Sequence, residues 1–189
     1  LNRATHSRRQ PGSSLKPLSV YAPGIETGKI NSATVLRDEK ITIGDWSPVN
    51  SYSGFKGDMI LRRAIEISAN IPAVKALQTL GLDTSYSYLT NKFNMKLSDS
   101  DKNLSALGLG GLTKGVTVRE MAGAYAAIAN GGMYIEPYTY TKVVDSAGKV
   151  LLEKKNEPSR ALSASTAFIM TDLLSEVVNG SSGTGRSAR

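Results

Sequence analysis

In Pro11-Gly12-Ser13-Ser14-Leu15-Lys16-Pro17 a hydroxyl and an amine stand three residues apart between two prolines, and this stretch restricts the fold more than any other. Gly12 admits a tight turn, and the residues after it suit a helix start, so Ser13 and Lys16 at i, i+3 are expected on one face. Serine is a poor nucleophile until an adjacent base takes its proton. Lysine is such a base only when neutral. Its ordinary pKa of about 10.4 has to fall by roughly 3 units to act near neutral pH, which is about 4 kcal/mol of environmental bias. Burial or a neighbouring cation supplies that bias. The amide N–H groups of the helix start face the same corner, where one oxyanion donor is worth about 3 to 4 kcal/mol.

The pattern is short, and Ser-x-x-Lys recurs at Ser53/Lys56 and Ser146/Lys149. The former lies in a loop composition, Ser51-Tyr52-Ser53-Gly54-Phe55-Lys56-Gly57. The latter reads as a hairpin turn at Asp145 to Lys149. Only Ser13/Lys16 follows Pro-Gly and leads into the apolar residues Leu15, Leu18, Val20 and Tyr21. Taken alone it still favours an ordinary helix start with a solvated lysine.

A second pair, Ser68 and Asn70, is the chain's one Ser-x-Asn. Asp58 to Leu80 reads as two helices, because Pro72 biases Ile71 away from helical geometry and suits the first turn of a following helix. Ser68-Ala69-Asn70 falls at the joint, a place for polar groups that must face a cleft. A hydroxyl there could relay a proton to a leaving amine, and an amide could hold both a lysine and a substrate peptide group.

The rest of the chain supplies scaffold. The first helix is expected from Ser13 to Ala22, irregular at Pro17 and ending or kinking at Pro23-Gly24. Strand candidates are Ala33 to Arg37 and Lys40 to Ile43, followed by a loop in which Trp46 and Tyr52 line a groove or anchor the loop to the core. Asp83 to Phe93 reads as a helix, Ser98 to Asn103 as a polar loop, and Leu107 to Leu112 as a Gly-rich turn. Thr117 and Glu120 form a capping box before a helix stopped by Gly131-Gly132. Tyr134 to Val144 and Val150 to Glu153 make a hairpin. Ser163 caps a last helix through Val178, and Asn179 to Arg186 reads as a flexible connector.

With 189 residues and 40% hydrophobic content, one domain with a buried core is expected. Cysteine is absent, which excludes thiolate chemistry, and a Ser-His-Asp triad has only His6, set among Arg3, Arg8 and Arg9. No metal or cofactor is implied. A net charge of +7 with 6% aromatic residues reads as scattered surface charge; no nucleic-acid partner is expected. No run approaches the ~20 apolar residues of a membrane span, no signal peptide is visible, and Leu1 to Thr5 read as a beginning in mid-domain.

Together these residues resemble the transpeptidase domain of penicillin-binding proteins, serine acyltransferases that cross-link bacterial peptidoglycan. Arg9-Gln10-Pro11-Gly12-Ser13 with Lys16-Pro17, Ser68-Ala69-Asn70-Ile71-Pro72-Ala73-Val74, Glu120-Met121-Ala122 with Ala124-Tyr125, and Ala129-Asn130-Gly131-Gly132 look like the class A branch. The resemblance implies an α/β fold of the penicillin-binding-protein and β-lactamase type, an antiparallel sheet flanked by helices, incomplete here, with residues 1–189 a partial transpeptidase domain. It implies that Ser13 is the acylated nucleophile, also trapped by β-lactam antibiotics, with Lys16 as general base, Ser68 as proton relay and Asn70 as substrate-positioning group. The implied partners are a peptidoglycan stem peptide, on lipid II or nascent glycan, and the remainder of the domain, on the same polypeptide or as another chain. The implied location is the extracytoplasmic face of the bacterial membrane, anchored by a segment outside these residues. The family's Lys-Thr-Gly strand is missing; Thr113-Lys114-Gly115 has the order reversed. The 189 residues alone are therefore expected to be inactive. The alternatives are a non-catalytic β-lactam sensor or scaffold and, ranked lower, a serine β-lactamase, for which no glutamate stands in a recognisable water-positioning loop.

Overall fold

Pro17 has no amide to return to the Ser13 carbonyl, and the chain answers with changes of helical register. In the computed structural model, which describes residues 2–155 and 157–189, Gly12–Leu15 form a 3₁₀ turn in which the Lys16 amide donates to the Ser13 carbonyl. Pro17–Tyr21 then widen to a π-helical turn, closed by the Ala22 amide on the Pro17 carbonyl. Helix α1 (Ala22–Glu26) continues without the break expected at Pro23-Gly24. Two contacts explain this. The Ser19 carbonyl, which Pro23 would leave unpaired, accepts the Ser85 hydroxyl at 2.6 Å, and Ile30 occupies the space that a Cβ on Gly24 would need. All residues from Leu15 to Gly24 are buried, so this segment is the axis of the core.

Strand β1 (Val35–Asp38) pairs antiparallel with β2 (Gly57–Ile60), Leu36 opposite Met59. The strand expected at Lys40 to Ile43 is absent, and Ile43 makes only an isolated bridge to Trp46. The long loop between the strands is anchored by Tyr52, whose hydroxyl donates to Asp38. Helices α2 (Leu61–Glu66) and α3 (Asn70–Leu80) bear out the two-helix reading, with the joint at residues 67–69. Pro72 sits in the first turn of α3, where its missing amide has no intrahelical acceptor to serve.

Beyond α4 (Leu82–Ser87) a π-helical turn, Tyr88–Lys92, carries the expected helix to Phe93. The polar stretch after it is a 3₁₀ turn, Asp99–Asp101, with its own capping box. Leu104–Leu109 form α5, a helix that the glycine content concealed; it is capped by Asn103, whose side chain accepts the Ala106 amide. Gly108 is there for packing, since a Cβ would stand 3.3 Å from Leu77 Cδ2. The Thr117–Glu120 capping box opens α6 (Val118–Ala129) as expected.

The single hairpin expected after it is two pairings. Strand β3 (Met133–Tyr134) takes β6 (Ser159–Arg160) as its partner, and β4 (Lys142–Val144) pairs with β5 (Val150–Glu153). Ser163 caps α7 (Ala164–Asn179). Helices thus dominate, with three two-stranded antiparallel pairs among the described residues. None of the described helices is long and apolar enough to cross a membrane.

Candidate active site

Lys16 is 1% exposed, and its Nζ is surrounded by the joint between α2 and α3. It donates to the Ser68 carbonyl at 2.8 Å and to Asn70 Oδ1 at 2.7 Å, with Ala69 O at 3.2 Å and Ser68 Oγ at 3.3 Å. Burial, which penalises the charged form, lowers its pKa to about 8. An ordinary helix start with a solvated lysine is therefore excluded. Most of the fall that general-base chemistry requires comes from the position of the amine in the core.

Ser68 is held in an unusual way. Its φ is +55°, left-handed, at a position that glycine normally occupies. The Ser68 amide donates to the Ile65 carbonyl at 3.0 Å and the Ala69 amide to the Ala64 carbonyl at 2.9 Å. That pair of bonds is a Schellman motif closing α2, with serine where the motif favours glycine. The turn presents both the carbonyl and the hydroxyl of Ser68 to Lys16.

Asn70 starts α3, and its amide group bridges two walls. Oδ1 accepts from Lys16, while Nδ2 donates to the Val49 carbonyl at 2.7 Å. Its backbone N–H donates to Asn50 Oδ1 at 2.9 Å. No local sequence signal marks Asn50, which lies in loop composition with its partner 20 positions away along the chain.

Ser13 stands exposed on the wall of a cavity of about 270 Å³ that Lys16, Ser68, Tyr125 and Thr184 also line. Among the described residues its hydroxyl has no hydrogen-bond partner, so it shares the cavity with Lys16 without a direct bond. Its backbone is fixed from three sides. Gly12 has φ +56° and donates to the Gly110 carbonyl at 3.3 Å. Ser14 Oγ donates to Pro11 O at 2.6 Å, and the Tyr125 hydroxyl donates to Ser14 O at 2.7 Å. Gly110 lies so close that a Cβ on it would be 2.0 Å from the Gly12 carbonyl oxygen. The Gly-rich stretch thus serves as the bed for the Ser13 turn.

The C-terminal stretch is no free connector. Ser182 N–H donates to Glu66 Oε1 at 2.7 Å, and Thr184 N–H to the Glu66 carbonyl at 3.2 Å. Arg63 pairs with the other Glu66 oxygen at 2.6 Å. This clasp brings Thr184 to the wall of the cavity that Ser68 also lines. The other Ser-x-x-Lys pairs lie elsewhere: Lys56 sits over the Tyr52 ring, and Lys149 closes the Asp145 turn. His6 is exposed and contacts Thr5. No group of three or more His, Asp or Glu among the described residues could hold a metal ion.

The penicillin binding protein transpeptidase domain model matches residues 1–189. Penicillin-binding protein 1F of Bacillus subtilis is 40% identical over 177 residues, 94% of this chain and 24% of the relative. Penicillin-binding protein 1A of Clostridium acetobutylicum is 38% identical over 201 residues, 100% of this chain and 24% of the relative. The chain thus spans about a quarter of the length of these curated relatives. The crystal structure of penicillin-binding protein 1A from Haemophilus influenzae superposes with a TM-score of 0.84 at 28% identity, over 99% of this chain and 33% of that one. The D,D-transpeptidase domain of a peptidoglycan glycosyltransferase from Eggerthella lenta has the same fold, with a TM-score of 0.82 at 24% identity, over 100% of this chain and 52% of that one.

Proposed function

Since the chain belongs to the penicillin-binding protein transpeptidase domain family, we propose that it is the part of a serine D,D-transpeptidase that carries the acylating serine and its base. One observation carries this reading: the buried Lys16 amine, with its pKa lowered to about 8, held against Ser68 and Asn70 on the cavity that Ser13 lines.

The chemistry follows from the donor count. Neutral Lys16 has two N–H bonds and one lone pair. The N–H bonds are directed at Ser68 O and Asn70 Oδ1, the two shortest contacts, which leaves the lone pair for the cavity. The lone pair takes the Ser13 Oγ proton as Oγ attacks the penultimate D-Ala carbonyl of a stem peptide. The peptide C–N bond then breaks, and the Lys16 proton passes through the Ser68 hydroxyl to the departing D-Ala amine. An amine from a second stem attacks the Ser13 ester and loses its proton along the same path, and Oγ recovers its own. In a β-lactam the cleaved C–N bond lies within a ring, so the leaving nitrogen stays attached and the ester persists.

The proposed substrates are stem peptides on lipid II or nascent glycan, at the extracytoplasmic face of a bacterial membrane. The reading requires a Lys-Thr-Gly strand from outside residues 1–189, on the same polypeptide or on a second chain. Exchange of the terminal D-Ala of a synthetic stem pentapeptide for a labelled D-amino acid, catalysed by the natural full-length protein, tests it. Exchange is expected in wild type and absent from Ser13→Ala. Equal exchange in both would overturn the reading.

A further inference from the structure

Asn70 does not orient itself. The amide that holds Lys16 is locked by a polar chain that runs away from the cavity into the β1–β2 hairpin. Its Nδ2 is committed to Val49 O at 2.7 Å, and its backbone N–H to Asn50 Oδ1 at 2.9 Å, with the Ile71 N–H on the same oxygen at 3.3 Å. Asn50 thereby caps α3 from another element, since the residue before the helix, Ala69, has no side-chain oxygen to offer. The Asn50 amide has its sense fixed in turn: its Nδ2 donates to Asp38 Oδ1 at 2.8 Å.

Asp38 is 1% exposed at the end of β1, and among the described residues no lysine or arginine pairs with it. Three donors satisfy it instead: Asn50 Nδ2, the Tyr52 hydroxyl at 2.7 Å and the Lys56 amide at 2.9 Å. An ionised carboxylate only accepts, so it forces Asn50 to turn its nitrogen inward and its oxygen toward α3. A buried carboxylate without a cation is costly to keep for the sake of one loop.

We propose that Asp38 and Asn50 are positioning residues for the Lys16 base: Asp38 fixes the sense of the Asn50 amide, Asn50 holds the backbone start of α3 and keeps its neighbour Val49 against Asn70 Nδ2, and the two together set the place from which Asn70 presents Oδ1 to Nζ. The inference deepens the transpeptidase reading and rests on it.

The test is a polarity swap in the natural full-length protein, read by stopped-flow acylation with nitrocefin, which separates the saturating rate constant from the apparent Kd of the preceding complex. Asp38→Asn sets an amide nitrogen against the Asn50 nitrogen, and Asn50→Asp sets two carboxylates against each other. Each single variant is expected to lower the saturating rate constant about tenfold or more while leaving Kd within about threefold, as misplacement of a catalytic group does. In the double variant Asp38→Asn/Asn50→Asp the new amide donates to the new carboxylate, whose other oxygen accepts the Asn70 and Ile71 amides. It is expected to recover to within about threefold of wild type. Single variants that acylate at the parental rate overturn the proposal, as does a folded double variant that recovers nothing. If the singles fail to fold, the double variant decides alone. A parent that does not acylate overturns the transpeptidase reading, and the inference with it; a parent that acylates while the swap has no effect overturns the inference only.

Discussion

Lys16 Nζ lies 2.7 Å from Asn70 Oδ1, a contact between residues 54 positions apart in the chain, made on the wall of the cavity that Ser13 also lines. The distance joins the two short motifs into one polar centre. It exists because Lys16 opens a fully buried helical segment and Asn70 opens α3 beside it.

The lowered pKa sets a pH dependence. At pH 7 an amine with a pKa of about 8 is roughly one-tenth neutral, against about one part in three thousand at the ordinary value of 10.5. The second-order acylation rate constant is therefore expected to rise about tenfold per unit below pH 8 and to level off above it. A β-lactam acylation profile that is flat from pH 6 to 10 would remove Lys16 as the base.

The same shift links to stability. The folded pKa lies below the unfolded one, so the cost of burying the charge is present in full below about pH 8 and is relieved as pH rises toward 10.5. Urea melts should show wild type gaining on Lys16→Met by up to about 3 kcal/mol across that window. A constant difference would contradict the shift.

Ser68 occupies a left-handed backbone position that costs a non-glycine residue about 1 kcal/mol. Ser68→Gly is expected to raise the unfolding free energy by about that amount while lowering acylation at least a hundredfold through loss of the proton relay. Chemical denaturation and nitrocefin kinetics on one sample check both, and a variant that is less stable than its parent would refute the strain.

Gly110→Ala meets the Gly12 carbonyl at 2.0 Å and a left-handed φ of +79°. It should destabilise by about 2 kcal/mol or more and displace the Ser13 turn. Denaturation of Gly111→Ala, whose Cβ meets nothing within 4 Å, is the matched control.

Glu66→Gln weakens the clasp on Ser182 and Arg63. Amide exchange at Ser182 and Thr184 is expected to accelerate while the interior of α7 is unaffected. Unchanged exchange would show that the backbone alone holds the stretch.

What was legible in the sequence was local. The Ser68-Ala69-Asn70 joint followed from Pro72, and the irregular helix after Ser13 from Pro17, because proline acts within its own turn. Helix α5 was hidden because Gly108 reads as a turn residue, whereas its role is to let Leu77 approach. Pro23 was expected to end the helix because the Ser85 hydroxyl that relieves it comes from another element. Asn50, Asp38 and Glu66 were missed for the same reason, since each gains its meaning from a partner that only the fold supplies. The four residues proposed for chemistry were readable as short motifs, and the groups that hold them in place were not.

The most direct test of the central claim is intact-mass and peptide-mapping analysis of the natural full-length protein after incubation with benzylpenicillin. The account predicts one stable adduct per chain, on the peptide containing Ser13, and none in Ser13→Ala. A Ser13→Ala protein that still labels to full stoichiometry, or an adduct mapped to another serine, would contradict it.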